Sequence, residues 1–199
     1  MKKMMEIVDF LWIVPLTENL TRNDFKDWEE TFTFLDLSQN FRNSREVVKL
    51  IKSYAEEENY SYQKGIVMPP ENFPTGCRPL FVDSFEDAIK EARKRTKDGI
   101  LVITDSNLHD FNNFNQIKEK WKVYHHFRTD FKEEENPYAF LHEGNIFIVD
   151  DLECFGFEWA TVIVFEKKGN LSAAYHVCNY MMRCTTNLIV VKEEEDERF

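Results

Sequence analysis

Two short apolar runs, Ile146-Phe147-Ile148-Val149 and Trp159-Ala160-Thr161-Val162-Ile163-Val164-Phe165, constrain this chain more than any other feature. Each has the length of a buried strand rather than of a helix. Strands buried on both faces are what a parallel α/β sheet supplies, because its crossover helices cover both sides. The connection between the runs is tight and carries Asp150, Asp151, Glu153, Gly156 and Glu158. Open parallel sheets place their chemistry in loops beyond the carboxyl ends of the strands. Asp150, Asp151, Gly156 and Glu158 are therefore candidate site residues.

The flanking sequence supplies alternating partners for such a sheet. Residues 31–37 alternate β-branched and aromatic positions and predict a strand. Asn43 or Ser44 then caps a helix, with Glu46 placed to return a hydrogen bond to its first turn. Val47, Val48, Ile51, Tyr54 and Ala55 form its apolar stripe. The prolines and acids of residues 56–77 predict loop or edge structure. Residues 78–83 form a strand that Pro79 confines to a sheet edge or a strand start. Ser84-Phe85-Glu86-Asp87 has capping-box spacing and opens a helix to about Lys97, with Glu86–Lys90 and Glu91–Arg95 pairs and Gly99 as its stop. Residues 100–105 are a buried strand. A weaker helix over 112–121, a strand over 123–127 and a solvated loop over 132–137 follow. Lys167-Lys168-Gly169 is a turn, Asn170 caps a helix over 171–182, and residues 187–191 make the last strand. The pattern predicts an appendage over residues 1–30, one α/β domain over 31–192 and an acidic tail over 193–199. Its sheet is mostly parallel, with helices on both faces.

Charge and composition narrow the function. A net charge of -11 argues against a protein that holds nucleic acid by surface charge alone, since phosphate contacts need clustered Lys and Arg. A local basic groove remains compatible with it. The four cysteines include no Cys-x-x-Cys pair and no His spacing suited to zinc, so reduced thiols in an intracellular protein and no metal site are expected. Asp9 and Pro15 break the apolar run behind Met1-Lys2-Lys3, which argues against a signal peptide. No stretch is long enough to span a membrane. His125 and His126 are adjacent on an expected strand and point to opposite faces, so a shared metal is not expected. The eighteen phenylalanines suit a bulky core rather than a base-stacking platform.

None of the six glycines precedes a Lys-Ser or Lys-Thr pair, and no Gly-x-Gly-x-x-Gly occurs. The chain lacks its own phosphate loop. Three islands nevertheless stand in a telling order. Asn40-Phe41-Arg42 precedes a helix. Gly156-Phe157-Glu158-Trp159 precedes a buried strand. Arg183 ends a helix, with Leu188 five residues on, before the last strand. This order resembles the second RecA-like domain of superfamily 1 helicases of the UvrD/Rep kind, whose motifs IV, V and VI have these settings. Only 113 residues separate Arg42 from Gly156, too few for a large inserted subdomain. The compact form is closer to the helicase-like region of Schlafen-type proteins.

The resemblance implies a RecA-like domain that completes an ATP site. ATP with Mg2+ would be bound mainly by a first RecA-like domain, in cis or in trans, which carries the phosphate loop. Arg42 and Arg183 would act as arginine fingers on the γ-phosphate, Glu158 would contact the ribose, and Gly156 would let the backbone turn closely. Hydrolysis would be coupled to movement on single-stranded DNA or RNA, and the isolated chain would not hydrolyse ATP. Some positions depart from the family. Where Thr, His and Lys usually hold strand phosphates, this chain has Asp150, Asp151, Leu152, Glu153, Cys154 and Phe155. Acids there repel phosphate. Cys184 replaces an alanine, and Tyr180 a small residue. A degenerate helicase-like module serving protein contact or regulation is the alternative. A third reading is a magnesium-dependent receiver-like domain using Asp105, Asp150 and Asp151.

Overall fold

The computed structural model describes residues 39–57, 66–104, 119, 123–125, 136–149, 154, 157–165 and 178–192. The chain divides into the units Met1–Leu37 and Ser38–Phe199, and every described residue belongs to the second.

The two apolar runs are strands, as their length requires. Six strands are described: β1 (Leu80–Val82), β2 (Ile100–Ile103), β3 (Val123–His125), β4 (Ile146–Val149), β5 (Trp159–Phe165) and β6 (Cys184–Val191). They form one sheet in the order β1-β6-β5-β2-β4-β3, with every pair parallel. Three helices are described in full: α1 (Arg45–Glu57), α2 (Phe85–Arg95) and α3 (Pro137–His142). Residues 178–181 are also helical and lead into β6.

The period of two along each strand divides the core into two layers. Leu101, Ile103, Phe147, Val149, Val162, Val164, Leu188 and Val190 share one layer with Val47, Ile51 and Ala55 of α1. Ile100, Val102, Ile146, Ile148, Ile163, Ile189 and Val191 share the other with Phe85, Ala88, Ile89 and Ala92 of α2. Burial of each Val, Leu, Ile or Phe side chain among these contributes about 1.5–3 kcal/mol relative to exposure. The fold is thus α/β, with a parallel sheet covered on both faces, as the alternation of strands and helices predicts.

Local details depart from expectation where tertiary contacts decide them. Ser84 caps α2 as its spacing predicts: its side chain accepts from Asp87 N and donates to Asp87 Oδ2. That contact, followed by Lys90, holds the Asp87 carboxyl below its ordinary pKa. The Glu86–Lys90 pair forms. Glu91, however, pairs with Lys94, while Arg95 donates to the Arg78 carbonyl. The helix stops at Thr96, whose backbone is extended, so Gly99 is not its cap. Gly99 is demanded instead by the Leu141 backbone, 2.3 Å from where a Cβ would stand. The strand expected over residues 78–83 is limited to β1, which lies at an edge, as Pro79 predicts.

The loop expected over 132–137 gives way at its end to α3. Asn136 caps that helix by accepting from Tyr138 N, and Pro137 occupies its first turn. The last strand starts at Cys184, three residues earlier than its apolar run suggests. The strand over 31–37, most of the helix over 112–121, the turn at 167–169 and the tail over 193–199 lie outside the described residues, as do Asp105, Asp150 and Asp151.

Candidate functional site

Three sequence islands meet at the amino ends of β5 and β6. Glu158 immediately precedes β5, and Arg183 immediately precedes β6. The expectation of a site beyond the carboxyl ends therefore fails for Glu158, while Arg183 stands at the end of a helix, as its setting predicts. Because the strands are parallel and Trp159 pairs with Cys184, their preceding residues come to the same end of the sheet.

The turn before α1 is shaped by Asn40. Its Oδ1 accepts from Arg42 N at 2.9 Å and from Asn43 N at 3.0 Å. Its Nδ2 donates to Asn43 Oδ1 at 3.1 Å. This is the local side-chain turn that Asn favours outside helices. Asn43 is then aimed away from its own helix. Its Nδ2 donates to the Met182 and Cys184 carbonyls at 2.7 Å each. It does not cap α1, and Glu46 does not fold back either, since it pairs with Lys49. The first-turn donors of α1 are satisfied from elsewhere: Arg45 N donates to Pro74 O at 3.2 Å and Glu46 N to Thr75 O at 3.0 Å. Gly76, at φ +77°, lets that segment approach, for a Cβ there would stand 2.2 Å from Ser44 Oγ.

Four consecutive carbonyls on the Arg183 side are taken by the other two islands. Met182 O and Cys184 O receive Asn43 Nδ2. Arg183 O receives Trp159 N at 3.0 Å, and Thr185 O receives Ser44 N at 2.8 Å. A register shift between Trp159 and Thr161 gives β6 one extra residue at this point. Such a bulge takes a carbonyl out of the ladder, which explains how Thr185 can face Ser44.

The charged side chains project from this frame. Arg42 Nε lies 2.9 Å from Glu158 Oε1, the side chains being 51% and 37% exposed. Glu158 is held in place by its neighbours. Phe157 stacks on Tyr138 with ring centroids 5.6 Å apart and lies at the same distance from Phe147. Trp159 Nε1 donates to Gly99 O at 2.7 Å. Arg183 Nη2 donates to Asn179 Oδ1 at 2.7 Å, one helical turn back. The two arginines thus share a backbone frame but take different side-chain partners. Gly156 lies outside the described residues.

Of the positions that depart from the helicase pattern, Cys154, Tyr180 and Cys184 are described, and they are core. Tyr180 and Cys184 are buried in the α1 layer. Burial pushes the Cys184 thiol up to about 12, which makes it a small apolar group rather than a nucleophile. Phe41 is exposed and meets Phe73 edge to face at 6.2 Å. A groove lined by Phe81, Asp87, Lys90 and Lys94 lies between β1 and α2, away from these islands. Among the described residues no group of three or more His, Cys, Asp or Glu could hold a metal. No described helix is long and apolar enough to cross a membrane.

The sequence singles out Arg42, Glu158 and Arg183 as candidates, and the structure brings their segments together; Asn40, which shapes the Arg42 turn, and Asn179 are not singled out. Asn43 reads in the sequence only as a cap. An Asn on each side of an arginine-bearing turn was the available signal, because Asn side chains bond backbone groups wherever a helix has not begun.

No family model and no curated protein matches the chain. Among solved structures, the chain is similar to the C-terminal domain of a possible DNA helicase from Lactobacillus plantarum WCFS1. The identity is 10%, the TM-score is 0.48, and the match covers 77% of this chain and 87% of that one. Likeness at that level speaks to neither ligand nor activity.

Proposed function

We propose that this chain is the second RecA-like half of a superfamily 1 helicase-like ATPase, completing an ATP site whose phosphate loop stands on a first RecA-like domain. The observation that supports this reading is the row of four carbonyls, residues 182–185. Through it the Arg42 turn, the Glu158 segment and the Arg183 turn are bonded to one another. Three stretches far apart in sequence form one rim, with an arginine on each of two of them.

A guanidinium suits the task because it is always charged and presents a fork of donors to phosphate oxygens. Glu158 grips Arg42 by Nε, which leaves the two terminal nitrogens to face a phosphate. Arg183 keeps one terminal nitrogen on Asn179 and is thereby oriented along its turn. On this reading the second carboxylate oxygen of Glu158 accepts from a ribose hydroxyl, and Gly156 keeps the role the helicase resemblance implies for it. ATP, when bound, supplies the phosphoanhydride whose cleavage drives movement along single-stranded DNA or RNA. On this reading its magnesium is bound mainly by the first domain.

The test is ATP hydrolysis by the purified chain alone and after addition of a first RecA-like domain that carries a Gly-Lys-Thr loop. The reading expects no turnover alone and nucleic-acid-stimulated turnover with the added domain. Robust turnover by the chain alone would overturn it.

The Arg42–Glu158 contact favours a second reading. An arginine already paired with a carboxylate is what a degenerate module retained for protein contact would show. On that reading the added domain restores no hydrolysis, and Arg183→Ala changes nothing but partner binding.

A further inference from the structure

We infer that Asn43 is a positioning residue that couples the Arg42 turn to the Arg183 turn, so that both guanidinium groups meet a triphosphate as one unit. The inference deepens the reading above and rests on it.

Asn43 is 2% exposed. Its primary amide has two donors and an acceptor, and all three are engaged. One carbonyl it reaches lies 139 residues ahead and the other 141, one on each side of Arg183. Its acceptor is held by Asn40, which also fixes the Arg42 and Asn43 backbone amides. A rotation of the Arg183 turn therefore pulls on Asn43, and through Asn40 on the amide of Arg42. Neither arginine bears on the other directly through these contacts; the asparagine amide carries the link. A serine in its place offers one donor and can hold one carbonyl at a time. An alanine offers none and leaves the Met182 and Cys184 carbonyls without this donor.

The link is tested on the full chain labelled with 15N and mixed with an added first RecA-like domain that carries a Gly-Lys-Thr loop, by following the arginine Nε–H resonances of Arg42 and Arg183 during titration with magnesium tripolyphosphate. In the wild type both resonances move together with a single affinity. In Asn43→Ala they move independently and the affinity falls about tenfold, as loss of a hydrogen bond of ordinary strength implies. Asn43→Ser, which keeps one donor, falls between the two and carries the test if the alanine variant does not fold. A joint titration with unchanged affinity in the folded variants overturns the coupling. If tripolyphosphate moves neither arginine in the wild type, the phosphate reading fails, and the link is judged without the probe. The backbone amides of residues 182–185 then shift in Asn43→Ser if the link holds. Unchanged amides there overturn it.

Discussion

Arg42 Nε and Glu158 Oε1 stand 2.9 Å apart although 115 positions separate them in sequence. Both side chains are substantially exposed, and exposed ion pairs contribute only about 0–1 kcal/mol to stability. The pair is better understood as an orienting contact than as a brace. By occupying the Nε edge it decides which face of the guanidinium is presented to the rim.

That distinction gives a first expectation. Glu158→Gln lowers the unfolding free energy by no more than about 1 kcal/mol in urea. Arg42→Lys is equally mild for stability, yet it removes the planar fork that bidentate phosphate contact needs. In a reconstituted ATPase the lysine variant therefore loses most of the activity. Activity close to wild type would show that charge alone suffices at this position.

Backbone crowding gives a second. A Cβ at Gly99 would meet Leu141 backbone atoms at 2.3, 2.6 and 2.8 Å, and one at Gly76 would meet the Ser44 side chain at a residue whose φ is +77°. Gly76→Ala should cost about 1–3 kcal/mol, the range for a strained left-handed residue. Gly99→Ala should cost more, because backbone cannot swing aside as a side chain can. Denaturant midpoints that leave Gly99→Ala the milder of the two would contradict this account of the α3 approach.

The thiols give a third. Cys77 is exposed, whereas Cys154, Cys178 and Cys184 are buried. Ellman's reagent on the folded chain should find one fast thiol, and Cys77→Ala should abolish it. A second fast thiol in that variant would mean that a buried site opens.

The Cys184 thiol also predicts a dependence on pH. Its folded pKa is raised by burial from 9.0 to about 12, so the folded state keeps a proton that the unfolded chain releases sooner. The stability this represents is fully present below pH 9 and is lost as pH rises toward 12. Unfolding free energy should fall across that window, and the fall should be shallower in Cys184→Ala. Identical slopes would show that other groups account for the whole alkaline loss.

The framework of the fold could be read from the chain because strands buried on both faces are written as apolar runs. β2, β4 and β5 are such runs, and Ser84 announces α2 by the spacing to Asp87. Where backbone groups decide, the sequence carries little sign. The α1 amides are capped by Pro74 and Thr75 carbonyls, so neither Asn43 nor Glu46 performs the role its spacing suggests. α3 went unread because its six residues are too few to show a period. Of the candidate site, the arginines and Glu158 were legible through motif order. The row of carbonyls was not, since a carbonyl is common to every residue and leaves no mark in composition. Asn43 was visible, but its partners were not.

Two arginines on one rim are proposed to act together on a nucleotide held by another domain. The most direct measurement is nucleic-acid-stimulated ATP hydrolysis with an added first RecA-like domain, compared across wild type, Arg42→Ala, Arg183→Ala and the double variant. Each single change should lower turnover by about a thousandfold, the scale of an arginine finger. The double change should cost little more than either alone, since the pair works as a unit. Turnover that is indifferent to both substitutions would contradict the proposal.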